Sequence, residues 1–216
     1  MAMLADLSRI EARDRLSGYQ PYAKQREFHA AGAEHRERLF MAGNQLGKTL
    51  AGAAEIAMHL CGRYPDWWQG RRWAKPVRGW VAGETAETTR DSVQRQLVGP
   101  PPQREMWGTG WIPANALGKH AMQAGTSDAI DSLTVRHDAG GYSEVGFKTY
   151  GKGRSRWQAE TLDFVWFDEE PPIDVYTEGL TRTNATGGLV MVTFTPLMGM
   201  SEVVRMFLEH AGRLEQ

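Results

Sequence analysis

Two short segments hold residue types able to act on a phosphate ester. The first runs Arg38-Leu-Phe-Met-Ala-Gly-Asn-Gln-Leu-Gly-Lys-Thr49 and reads as an apolar strand, a glycine loop and the start of a helix. Bound phosphates need inward-facing backbone N–H groups, a helix N-terminus behind them and a cation over the terminal oxygens. Gly43, Asn44, Gln45, Leu46 and Gly47 would form that cradle, Lys48 would supply the charge, and Thr49 would offer a hydroxyl to Mg²⁺. The usual pattern opens on a glycine where this chain has Ala42, with Gly43 one place late. The second segment, Leu162-Asp-Phe-Val-Trp-Phe-Asp-Glu-Glu170, is an apolar strand that ends in acids. Phosphoanhydride hydrolysis needs an acid to hold a metal and a second group to orient the attacking water. Asp168 suits the first role and Glu169 the second, at a strand end where ligands bind open parallel sheets. Each segment alone has a plainer reading, either a Gly-Asn turn with an incidental Lys-Thr or an acidic helix N-terminus before Pro171-Pro172.

The elements that must position these residues follow from the apolar pattern. Strands are expected near 39–42, 79–82, 162–167 and 189–194, and helices over 20–33, 48–60, 86–97, 173–181 and 200–210. Pro21 would sit at the first position of the first helix, and Thr85 would cap the third. Residues 133–137 and 144–150 read as a hairpin about 138–141, and 99–113, with four prolines, as irregular. Strands alternating with helices, several of them wholly apolar, predict an α/β fold with a mainly parallel sheet covered on both faces. The hairpin would be an insertion or an antiparallel edge. The 216 residues suffice for one such domain, and their 41% hydrophobic content excludes a disordered chain. A net charge of −1 excludes a bulk basic field, so nucleic acid would have to meet a local patch. Arg63, Arg71, Arg72, Lys75 and Arg78, interleaved with Trp67, Trp68 and Trp73, offer one, although packing of the tryptophans onto the domain is the preferred reading. The histidines show no metal spacing, the single Cys61 suits a small apolar helix position, and no stretch reaches the length of a membrane span.

Four segments in order carry a resemblance to a known family: Gln20-Pro-Tyr-Ala-Lys-Gln-Arg-Glu-Phe-His29, residues 42–49, Phe164-Val-Trp-Phe-Asp-Glu-Glu-Pro-Pro172 and Thr193-Phe-Thr-Pro196. Together they resemble the ATPase domain of the large terminase subunit of tailed bacteriophages, over residues 20–210 or so. The resemblance implies a P-loop NTPase of the additional-strand, catalytic-glutamate type that uses ATP and Mg²⁺. It makes 1–216 a single ATPase domain, with a leader at 1–19, an adenine-contacting segment at 20–33 and a P-loop core at 34–216. Gln25 would recognise adenine, Tyr22 would flank the base, and Thr193 and Thr195 would couple γ-phosphate loss to movement. It further implies double-stranded DNA, the procapsid portal, the small terminase subunit and a homo-oligomeric ring as partners, in the host-cell cytoplasm. The C-terminal nuclease of full-length relatives is expected to be absent, and with it DNA cleavage.

Some members of that family carry an arginine inside the phosphate loop, where this chain has Asn44, Gln45 and Leu46. The extra positive charge is expected from Arg156, with Arg154 second, in the basic loop 151–157, acting on a neighbouring subunit. A solvated basic loop is the plain alternative. A helicase-like ATPase and a nucleotide-binding module with little turnover remain the competing functions.

Overall fold

The structure is a computed structural model that describes residues 14–43, 45–152, 160–196 and 201–214. Its frame is one seven-stranded sheet: β1 (Glu37–Met41), β2 (Arg78–Gly83), β3 (Leu117–Met122), β4 (Ile130–Arg136), β5 (Tyr142–Thr149), β6 (Phe164–Asp168) and β7 (Leu189–Phe194). The strand order is β1-β7-β6-β2-β5-β4-β3. The first five strands of that order run parallel, and β5-β4-β3 continue as an antiparallel meander. β7 therefore lies between the strand that precedes the phosphate loop and the strand that ends in acids. That insertion is the additional-strand arrangement, and the hairpin is an antiparallel edge.

Strand periodicity divides the core. Phe164 and Trp166 of β6 join the cluster around α2 (Lys48–Cys61), whereas Val165 and Phe167 join the one beneath α4 (Ile173–Thr183) and α5 (Glu202–Leu214). Burial on both faces is why β6 and β7 read as continuous apolar runs. α2 passes close over β6: a Cβ on Gly52 would stand 2.6 Å from the Trp166 ring. Glycine there brings the N-terminus of α2 down to the end of β6, where Asp168 sits.

A buried charge cluster fixes α1 (Ala23–Ala31) beside the loop. Glu55 of α2 accepts Arg38 Nη2 of β1 at 2.5 Å, and its other oxygen lies 2.7 Å from Nδ1 of His29 in α1. His59 Nε2 lies 3.3 Å from the first oxygen. All four side chains are buried. Burial works to raise the Glu55 pKa, but Arg38 and the two histidines outweigh it and hold the carboxyl well below its ordinary range.

The structure corrects several expected boundaries. α1 begins at Ala23 and not at Pro21, because Gln25 Oε1 accepts the Tyr22 N–H at 2.9 Å and closes the helix start there. β3 is not among the expected strands; its Leu-Gly-Lys-His-Ala-Met sequence has no buried residue and no alternation to read. The segment 86–97 (α3) is capped by Thr85 as expected, but its middle, Arg90–Gln94, is π-helical. The tryptophan-rich loop packs onto the domain: Trp68 and Trp73 are buried, Arg71 lies over Trp73 at 4.1 Å and Arg26 over Trp67 at 5.1 Å. Cys61 is buried, and burial pushes its thiol up to about 12. Among the described residues, no helix is long and apolar enough to cross a membrane.

Candidate phosphate-binding and catalytic site

The loop grows out of β1 with the strand pairing still running. The Ala42 N–H donates to Phe194 O at 3.4 Å, so Ala42 continues the ladder with β7 and does not open the turn. It is absent from the positive-φ residues, which explains why alanine serves where a glycine was expected. The turn is made later, by Gln45 at φ 60° and Gly47 at φ 74°. Gly47 must be glycine twice over, because its backbone is left-handed and a Cβ would stand 2.7 Å from Gln25 Nε2. Gly47 is the N-cap of α2, so the free N–H groups of a 14-residue helix face the loop. Lys48 is buried, and its Nζ donates to Gly43 O at 2.7 Å across the loop. Asn44 lies outside the described residues.

Gln25 ties α1 to this loop. Its amide nitrogen donates to Gly47 O at 2.9 Å while its oxygen holds the Tyr22 N–H. A carboxamide has two N–H groups and two lone pairs, so one of each is left over. Tyr22 is 74% exposed and stands free at the rim of a groove of 790 Å³ that Phe40, Leu46 and Phe207 also line.

The acids sit at the end of β6, beside the start of α2. Asp168 Oδ1 accepts Thr49 Oγ1 at 2.9 Å and Thr193 Oγ1 at 2.9 Å, and Oδ2 accepts Ser92 Oγ at 2.7 Å. Thr193 in turn accepts the buried Trp166 Nε1–H at 2.8 Å. Burial raises the Asp168 pKa, and the three hydroxyls together with Lys48 oppose that shift. Glu169 is left-handed, at φ 68°. Its N–H donates to Thr193 O at 2.8 Å, its carboxylate accepts the Thr195 N–H at 3.3 Å, and Tyr150 Oη lies 2.8 Å from its carbonyl. Burial also raises the Glu169 pKa, with Asp168 adding to the shift and the Thr195 N–H opposing it. Burial raises the Glu170 pKa as well, with the Val204 backbone N–H opposing the shift.

The donor set fits a small hard cation. Thr49 and Asp168 present two oxygens 2.9 Å apart, and among the described residues there is no cluster of three or more His, Cys, Asp or Glu. A cation here would draw its remaining ligands from phosphate and water, as Mg²⁺ prefers. The structure thus brings Lys48, Thr49, Asp168, Glu169, Thr193 and Thr195 to one end of the sheet, with Gln25 beside Gly47. Arg154 and Arg156 lie outside the described residues. Sequence reasoning passed over Ser92 and Tyr150. Nothing in the local sequence marks Ser92, whereas Tyr150 has a faint signal as the residue that follows β5, beside the basic loop.

Strand order, loop and acids define a P-loop NTPase fold of the additional-strand type. The chain belongs to the terminase large subunit family, T4likevirus-type, N-terminal, which matches residues 39–215. It is 44% identical to the terminase large subunit of Salmonella phage P22, over 92% of this chain and 43% of that protein. It is 26% identical to the terminase large subunit of Enterobacteria phage LP7, over 92% of this chain and 44% of that protein. The chain thus spans less than half the length of either relative. Among solved structures, the large terminase ATPase domain of Thermus phage P74-26 superposes with a TM-score of 0.57 at 20% identity, covering 90% of this chain and 72% of that one. The large terminase of bacteriophage D6E in complex with ATP-γ-S gives 0.51 at 15% identity, over 81% and 38%. At these identities the two structures support the fold.

Proposed function

We propose that this domain hydrolyses ATP and that, within a large terminase subunit, the hydrolysis drives double-stranded DNA into a procapsid. The observation that carries the proposal is the Thr49–Asp168–Thr193 hydroxyl–carboxylate cluster, with Lys48 near enough for its charge to act on Asp168. Mg²⁺, held by Thr49 and Asp168, would neutralise charge on the transferring phosphoryl group. Lys48 would exchange the Gly43 carbonyl for phosphate oxygens, and the α2 N-terminus would bind them through backbone N–H groups. Glu169, its pKa raised by burial, suits the orientation and deprotonation of the attacking water. Gln25 and Tyr22 flank an apolar-walled groove with room for a base, which favours an adenine nucleotide, and the D6E enzyme was solved with ADP as well as ATP-γ-S. Thr193 and Thr195 meet both acids, so movement of either acid on loss of the γ-phosphate would pull on β7, the proposed coupling strand.

The phosphate loop offers Lys48 but no arginine, because Asn44, Gln45 and Leu46 fill the interval between Gly43 and Gly47. We assign the missing charge to Arg156, with Arg154 second, inserted into the neighbouring site of a homo-oligomeric ring on the portal. The small terminase subunit would deliver the DNA, and the host-cell cytoplasm is the setting. The test is steady-state ATPase of the chain alone and on portal-bearing procapsids. Low activity alone that rises on assembly supports the reading. Arg156→Ala should then lower assembled turnover by about 10³-fold, the scale of arginine fingers, with nucleotide affinity unchanged. Full turnover in the assembled Arg156→Ala ring, with Arg154 also replaced, contradicts the trans-acting arginine.

A further inference from the structure

Asp168 is gripped by one hydroxyl that phosphate-loop chemistry does not account for. Ser92 Oγ donates to Oδ2 at 2.7 Å, while Thr49 and Thr193 share Oδ1. Ser92 lies in Arg90–Gln94, the one π-helical stretch among the described residues. A π-turn exchanges good i→i+4 bonds for wider ones, persists where surrounding contacts over-determine it, and is frequent at functional sites.

Both ends of this turn are fastened. Thr89 Oγ1 donates to Thr85 O at 2.7 Å and lies 3.3 Å from Lys148 O of β5. At the other end, Gln94 Nε2 donates to Asp128 O at 2.8 Å, and its oxygen accepts the Ile130 N–H at 2.8 Å. Asp128 is itself left-handed, at φ 57°, so Gln94 holds a strained turn at the start of β4. Between these anchors Val93 is fully buried. Removing the inserted residue would turn one half of α3 against the other by about 100°, the rotation per residue of a helix. Both fastenings could not then survive with Ser92 still facing Asp168. The π-turn is the geometry that satisfies the anchors and the hydroxyl contact together.

We propose that Ser92 is a positioning residue for the metal-holding acid. By fixing Oδ2 it presents Oδ1 to Thr49 and to the cation, and its bond remains in place when Thr49 turns from Asp168 to the metal. Gln94 extends the hold to the turn before β4, so the antiparallel edge of the sheet bears on the metal site through two side chains. This inference rests on the reading of the site as a magnesium–nucleotide centre.

The test measures the metal directly. Mn²⁺ serves as the probe, titrated by electron paramagnetic resonance into the purified chain with ATP-γ-S, alongside fluorescent-nucleotide binding in EDTA and thermal melting. Ser92→Ala is expected to weaken Mn²⁺ about tenfold, the scale for outer-shell partners of metal ligands, with metal-free nucleotide affinity unchanged and the variant melting a little lower but still as a folded protein. Ser92→Thr, which keeps the hydroxyl, is expected to restore the affinity. Gln94→Ala, which keeps Ser92 and frees the turn, is expected to lose part of it. Wild-type Mn²⁺ affinity in a folded Ser92→Ala variant overturns the proposal, as does a Ser92→Thr variant as weak as the alanine. If the wild-type chain binds nucleotide but takes up no Mn²⁺ with it, the reading of the site fails and the role of Ser92 fails with it.

Discussion

Thr193 stands where β7 meets the end of β6, and its hydroxyl has two obligations. It accepts the Trp166 indole N–H from inside the core and donates to Asp168 at the site. Valine has nearly the same shape and neither capacity. Thr193→Val should leave a buried indole N–H unpaired and lower unfolding free energy by about 1–3 kcal/mol, measured by urea denaturation. A stability loss below a few tenths of a kcal/mol would show that Thr193 does not bridge core and site. Residues of this kind were legible in part. Lys48, Thr49, Asp168 and Glu169 announce themselves because phosphate chemistry needs those types at strand ends and a helix start. Ser92 does not, because its role depends on a contact with a carboxylate 76 positions away and on a π-turn that no local pattern encodes. Ala42 looks like a defect in the motif but directly follows β1 with its N–H still bonded to Phe194 of β7, a distinction visible only in the fold.

At the scale of elements, the approach of α2 to β6 decides whether the loop and the acids meet. Gly52 permits that approach, with Trp166 where a Cβ would point. Gly52→Ala should force the helix and strand apart despite alanine's better helix propensity, at a cost of about 1–3 kcal/mol. Equilibrium denaturation reads the stability, and weaker nucleotide binding should accompany the loss. A more stable variant would contradict the packing. The strands that hold the site are readable because burial on both faces makes them apolar almost throughout, as Leu189–Phe194 shows with Thr193 its one polar residue. β3 escaped because it lies at the sheet edge with little buried surface to shape its sequence. The start of α1 was misplaced because a side-chain bond from Gln25, and not the proline, sets it.

For the molecule as a whole, the Arg38–Glu55–His29–His59 cluster joins α1, β1 and α2 and so holds Gln25 against Gly47. Glu55 has its pKa depressed on folding, so its stabilisation is complete above the ordinary 4.5 and is lost as pH falls through the lower folded value. His59 is depressed from 6.5 by burial, so the unfolded chain also binds its proton more readily. Both effects have the same sign. The melting temperature should fall as pH drops below about 6.5 and fall faster below about 4.5. In Glu55→Gln the lower step should vanish from an already destabilised protein, because Arg38 is left buried without its partner. A pH-independent melting temperature from 7 to 4, roughly the span of these two titrations, would refute the cluster's role.

If Glu169 acts on the attacking water of ATP hydrolysis, as proposed, Glu169→Gln is the substitution that exposes it. The substitution keeps size and hydrogen bonding and removes the base. Single-turnover hydrolysis of Mg²⁺–ATP on the assembled ring should fall by about 10²–10⁴-fold, with nucleotide affinity at the wild-type level. Hydrolysis at the wild-type rate in that variant would contradict the account.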